Sequence, residues 1–211
     1  MVDGQLRPNK VRDRRILEAM RSLKREAFVP ARLAAQAYID EAIPLGRGRV
    51  LLKPLVIARL LQLAQPRAGE AALVVGSGSG YGAAILASCG VQVTALEEDA
   101  ELLQLARQAP LDTSLITLVQ GRLADGYAAT APYDLVVIEG AVREIPDTIG
   151  RQVSANGRLV AIVAVHGQTE AGGNGVAVLA EPSVGGLRAR PVFDAAAPLL
   201  PGLLAAPGFQ F

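Results

Sequence analysis

A chain of 211 residues, 51% hydrophobic and 19% charged, is long and apolar enough for one substantial α/β domain and too apolar for disorder. A net charge of +1 gives no bulk attraction to nucleic acid, the single Cys (Cys89) excludes an internal disulfide framework, and the single His (His166) excludes a Cys/His metal cluster. No apolar run reaches the roughly 18 residues of a membrane span, and the charged start MVDGQLRPNKVRDRR lacks the apolar centre of a secretory signal, so a cytoplasmic protein is expected.

From the N-terminus, VRDRRILEAMRSL (Val11 to Leu23) places Val11, Ile16, Leu17, Met20 and Leu23 near helical spacing, opposite a basic face that reads as solvated. PARLAAQAYI predicts a second short helix. EAIPLGRGRVLLKP (Glu41 to Pro54), with Gly and Pro throughout, predicts an irregular loop or short hairpin, and LVIARLLQLA an apolar helix ending near Pro66. Residues 1–66 thus form an N-terminal helical segment ahead of an α/β unit at 67–211, the two read as one compact body.

From Ala71 the rhythm changes. The apolar runs AALVV, VQVTALE, SLITLVQ, YDLVVIEG and GRLVAIVAV alternate with helical stretches at Gly80, DAELLQLARQA and EIPDTIGRQV. Nearly continuous hydrophobic strands with helical spacers predict a doubly wound, mostly parallel sheet covered on both faces. GVAVLAE and LRARPVF are joined to their neighbours by Gly-rich turns, which predicts an antiparallel strand pair at the C-terminal edge. The apolar tail LLPGLLAAPGFQF is expected to pack back on the domain or at a dimer contact. His166 ends a strand and reads as structural, and Cys89, in an Ala-rich helix, as a buried thiol.

ALVVGSGSGYGAA is the first chemical signal: a strand running through Gly76, Ser77, Gly78, Ser79 and Gly80 into a helix. Such a loop presents backbone N–H groups and a positive helix end to a ligand. The phosphate-loop Lys is absent, and the dinucleotide glycine pattern read from Gly76 meets Tyr81 at its third glycine. The next strand ends in Glu97, Glu98 and Asp99. Glu97 lies about 20 residues past the loop, where an acid accepts from ribose hydroxyls, and Asp99 suits the cap of the following helix. These features point to an adenosine-containing cofactor and leave NAD and S-adenosylmethionine both open.

Several stretches in order resemble the protein-L-isoaspartate O-methyltransferase family: MVDGQLRP, ILEAM, REAFVP and AYIDEAIPLGRG ahead of the loop, then VVGSGSGYGAAILA, APYDLVVIEGAVREIP and NGRLVAIV. The resemblance implies a class I methyltransferase (Rossmann-like) fold with S-adenosyl-L-methionine as cofactor. It also implies isoaspartyl-containing peptides or proteins as partners, no nucleic acid or membrane, and a possible homodimer. The implied cofactor residues are Gly76 to Gly80, Glu97, Arg122 and Leu123, and the implied substrate loop holds Arg49, Val50, Leu52 and Lys53. A carboxylate is ionised at neutral pH and a sulfonium methyl is an activated electrophile, so no general base is required and no catalytic side chain is assigned.

Three positions depart from the family pattern. Val74 stands for an acid before the first loop glycine, Gly121-Arg122 for Gly-Asp after the third strand of the sheet, and Val50-Leu51-Leu52 for Thr-Ile-Ser in the substrate loop. The missing hydroxyls predict weak isoaspartyl methylation, because each lost aligning donor can cost roughly 10²–10³ in rate. A diverged S-adenosylmethionine- or nucleotide-binding relative, with a lost or changed methyl acceptor, therefore stays open. An NAD-dependent oxidoreductase also stays open, although no proton-transfer constellation supports it.

Overall fold

The computed structural model describes residues 1–165 and 173–203; His166 and the last eight residues of the apolar tail lie outside them. The chain opens with a π-helical turn at Val2–Leu6 and helix α1 at Arg14–Ser22, whose N-cap Asp13 accepts from the Arg15 amide. The expected second helix is a 3₁₀ segment, Ala31–Gln36, lying behind another 3₁₀ turn at Arg25–Phe28. Residues 41–54 form the hairpin alternative: β1 (Ile43–Gly46) and β2 (Arg49–Leu51) pair antiparallel, and α2 (Pro54–Ala64) follows. Proline at the first position suits α2, where its missing N–H leaves no bond unmade.

Next come β3 (Ala71–Val75), α3 (Tyr81–Ser88), β4 (Gln92–Glu97), α4 (Ala100–Gln108), β5 (Ile116–Gln120), β6 (Tyr133–Val142), α5 (Asp147–Gly150), β7 (Val153–Ala164), β8 (Gly173–Ser183) and β9 (Gly186–Ala197). The seven-stranded sheet has the order β5-β4-β3-β6-β7-β8-β9. All pairs from β5 to β7 are parallel, while β7–β8 and β8–β9 are antiparallel, as the Gly-rich turns predict. The helix expected over EIPDTIGRQV is only the single turn α5: Pro146 caps it, and β7 begins three residues after its end.

Alternation along β3 divides the core. Ala72 and Val74 face a cluster with α1, α2, α3 and the leader, whereas Leu73 and Val75 join a second cluster with Leu96, Leu123, Ile138, Ile149 and Leu200. The first cluster runs from Val2 to Leu199, so the N-terminal segment and the sheet share one core. Cys89 is buried at the end of α3, and that burial pushes its thiol pKa up.

Arg158 on β7 fastens the bottom of the sheet. Its guanidinium donates to the carbonyls of Ala64, Gln65 (2.7 Å) and Asp134 (3.1 Å), and pairs with Glu70 at 2.9 Å. Replacement by Met leaves these half-buried acceptors without a donor. Arg158→Met is expected to lower unfolding stability by about 2 kcal/mol, read as a reduced urea midpoint at unchanged slope.

Candidate cofactor site

The strand order reverses between β4 and β6, on either side of β3, and this switch point is where ligands bind in open α/β sheets. The loop 76–80 lies there. The amides of Gly76 and Ser77 both donate to the Leu96 carbonyl at 3.0 Å, and Gly80 N–H donates to Ser77 O at 2.8 Å, closing the turn that starts α3. Gly76 has φ +73°, and a Cβ there would lie 2.9 Å from Arg49 Nη2 and 3.1 Å from Leu200 Cδ2. No side chain fits.

Glu97 ends β4 fully buried, beneath the loop. Its Oε2 accepts from Gly78 N–H at 2.8 Å, and its Oε1 from the amides of Glu98 (2.9 Å) and Asp99 (3.1 Å). The fourth donor is Arg49: Nη1 lies 2.9 Å from Glu97 Oε1 and Nη2 2.7 Å from Gly76 O. Asp99 caps α4, as its position predicts, accepting from the amides of Glu101 and Leu102. One acid thus shapes the loop while its neighbour starts the helix.

Glu139 stands opposite, near the end of β6. Between Val137 and Ala141 the β6–β7 register slips, so Glu139 and Gly140 sit outside the regular ladder. Glu139 is buried, at 8% exposed, its Oε1 has no partner, and a Cβ on Gly82 would overlap its carboxyl. Burial pushes its pKa from 4.5 to about 8; Arg49 and Arg25 pull it down and Glu97 pushes it up. Ser77 Oγ, Ser79 Oγ, Tyr81 OH and Arg25 Nη1 are also buried without partners. Arg25, from the leader, donates to Ala37 O (2.7 Å) and Leu52 O (2.6 Å) and lies 4.8 Å from the Tyr81 ring centre. Native interiors leave few such groups, and a concentration of them around one loop marks a place where a polar ligand or water is accommodated.

The substrate-loop residues do not converge. Arg49 enters the Glu97 site, Val50 is half-buried, Leu52 packs in the core, and Lys53 pairs with Glu41 at 2.9 Å. Leu123 is buried in the second core cluster, while the Arg122 side chain is 74% exposed and lies 3.8 Å from Asp125. Sequence reasoning missed Arg25 and Leu200 as neighbours of the loop. It also passed over Glu139, although an acid inside the apolar run LVVIEGAV was a visible signal. A second groove, of about 550 Å³, lies between residues 143–153 and the β8–β9 turn and shares no residue with the loop or Glu97.

Comparison with known proteins supports the same assignment. The family model for protein-L-isoaspartate(D-aspartate) O-methyltransferase matches residues 2–171. Among relatives, the protein-L-isoaspartate O-methyltransferase of Methylorubrum populi is 38% identical over 163 residues, 76% of each chain. That of Methylorubrum extorquens is 41% identical, covering 76% of this chain and 71% of its own. A solved protein-L-isoaspartate O-methyltransferase superposes with a TM-score of 0.78 at 19% identity, over 93% of this chain and 64% of that one. A Plasmodium falciparum structure, described as a putative protein-L-isoaspartate O-methyltransferase in complex with S-adenosyl-L-homocysteine, gives 0.74 at 17% identity, over 93% and 94%. These two likenesses establish the fold, and the sequence relatives and the family model establish the lineage. The chain belongs to the protein-L-isoaspartate(D-aspartate) O-methyltransferase family.

Proposed function

We propose that this protein is an S-adenosylmethionine-dependent O-methyltransferase that esterifies the carboxylate of isoaspartyl residues in damaged polypeptides. Family membership supports the reaction. The observation that carries the cofactor reading is the loop 76–80 drawn over the buried Glu97 at the sheet's switch point. The residues fit such a group: the loop glycines put no Cβ between the backbone and a ligand, Ser77 and Ser79 carry unpartnered hydroxyls, and Glu97 can accept from ribose hydroxyls.

When bound, the cofactor supplies an electrophilic methyl on sulfur. The chain's own residues have a positioning task. The N–H groups of the loop and the start of α3 set a positive field, and Glu97 would hold the sugar of the bound cofactor. An ionised carboxylate needs no deprotonation, so the reaction asks no general base of these residues. Alignment of two bound reactants can supply roughly 7–11 kcal/mol of the barrier reduction. Val50 and Leu52 offer no hydroxyl to an incoming carboxylate, which makes slow turnover the expectation. The same reading places the protein in the cytoplasm with isoaspartyl polypeptides as partners, without nucleic acid or membrane; the net charge of +1 and the lone cysteine support this.

The test is transfer of labelled methyl from S-adenosylmethionine to an isoaspartyl peptide, with the aspartyl peptide as control. Base-labile label confined to the isoaspartyl peptide is the expected result, at a rate reduced by roughly 10²–10³ against a relative that carries both hydroxyls. Cofactor binding without label on that peptide would remove the isoaspartyl acceptor from the reading.

A further inference from the structure

Among the described residues, two elements of the protein itself occupy space over the loop. After β9 the chain returns across the carboxyl ends of the parallel strands, and Leu199 bridges Ala141 in parallel. Ala141 N–H donates to Pro198 O and Leu200 N–H to Ala141 O, both at 2.8 Å, so the strap extends the tip of β6. Leu199 and Leu200 are 2% and 3% exposed. The Leu200 side chain lies against both Gly76 and Gly140, and Gly202 lies against Glu98 and Leu123. From the other side Arg49 reaches in from β2 and takes both Glu97 and the Gly76 carbonyl. Between Arg49, Glu139, Gly140 and Leu200 a cavity of about 10 Å³ is left, no more than a single water needs. Ligand sites for molecules of cofactor size run to hundreds of Å³.

We infer that Arg49 and the Pro198–Leu203 strap form a latch that competes with the cofactor, Arg49 for the Glu97 carboxylate and Leu200 for the space over Gly76 and Gly140. The inference rests on the reading that the loop and Glu97 hold S-adenosylmethionine. Both halves of the latch are reversible contacts. Arg49 lies on a three-residue strand, and the strap is held to β6 by two backbone hydrogen bonds. With Arg49 withdrawn, Glu97 keeps its three backbone donors and stays in place to accept from a sugar. Binding then requires opening, and the apparent affinity is lowered by the fraction of molecules that are open. Arg49 is in this sense a residue that sets cofactor affinity rather than one that touches the reacting atoms.

The experiment is calorimetric titration of the full chain with S-adenosyl-L-homocysteine, for wild type, Arg49→Ala and Leu200→Ala, with hydrogen exchange of the wild-type Leu200 amide followed in parallel. Each substitution is expected to tighten binding at least tenfold, and the Leu200 amide to lose protection when the wild-type protein is saturated. Measurable wild-type binding with unchanged or weaker affinity in both variants would overturn the latch while leaving the cofactor assignment intact. So would a Leu200 amide that stays protected at saturation, which needs no variant to fold. Absence of binding in all three proteins, each with wild-type circular dichroism, would overturn the cofactor reading and the latch with it.

Discussion

Replacing Glu97 with alanine is expected to cost about 4 kcal/mol of unfolding stability, a large part of the roughly 5–15 kcal/mol that holds a domain together. The carboxylate receives Gly78, Glu98 and Asp99 amides and the Arg49 guanidinium, and it is fully buried. Alanine leaves the three amides and Arg49 Nη1 without an acceptor; Nη2 keeps the Gly76 carbonyl, but the buried guanidinium loses its counter-charge, which accounts for most of that cost. The loop would also lose the Gly78 tether, so affinity for S-adenosyl-L-homocysteine is expected to fall by at least tenfold, about 1.4 kcal/mol. Urea unfolding and calorimetry on the same preparation check both parts. A urea midpoint within experimental error of wild type would show that the loop is held by something other than Glu97.

The second large effect is a pH dependence set by Glu139. Its carboxyl titrates at about 8 in the fold, against 4.5 without burial. Between these two values the folded chain holds a proton that the unfolded chain has released, so the unfolded state binds fewer protons and stability falls as pH rises. The contribution is fully present below 4.5 and lost once the pH has passed about 8. The slope is up to about 1.4 kcal/mol per pH unit, on the order of 5 kcal/mol across the window. Glu139→Gln keeps the shape and removes the proton. The variant is expected to match wild type near pH 4.5 and to exceed it progressively toward pH 9. Other groups titrate in the same range, so the measured quantity is the difference between the two urea midpoints at each pH. A flat difference from pH 5 to 9 would show that Glu139 is solvated or paired in the fold.

The parallel sheet was legible because its strands are buried on both faces and read as unbroken apolar runs, such as Leu135 to Ile138. The antiparallel pair was legible from its glycines, and the loop 76–80 from a strand that runs into small residues. Asp99 was legible as a cap because capping is a local interaction. The helix over residues 144–153 was misjudged in length: its acids and apolar spacing suit a helix, but Pro146 sets a late start and β7 claims the residues that follow. Arg49 was placed in the implied substrate loop, and nothing local in GRGRVLL signals its pairing with Glu97, 48 residues away. Its burial depends on the β1–β2 register, which turns Arg49 and Leu51 inward and leaves Val50 half-exposed. The apolar tail was expected to pack on the domain or at a dimer contact, and its described part, Leu199 and Leu200, packs on the domain. That it covers the loop itself follows from the return path of β9, a long-range feature with no local signature.

The outer strand β9 carries its own consequence for how copies of this protein can meet. An uncovered edge offers a row of unpaired amides and carbonyls on which another chain can be templated, and continued addition leads to fibrils. Here that edge carries Pro191, which has no N–H to donate, a register slip opposite Ala177 and Val178, and the exposed cations Arg188 and Arg190. Phe193 is held under the Arg59 guanidinium, 3.8 Å from its ring centre, which ties that end of the strand back to α2. Strand-to-strand growth through β9 is therefore obstructed chemically, sterically and by charge. Edge-to-edge pairing of two copies through β9 is thereby disfavoured, and this longest edge strand is a poor seed for aggregation.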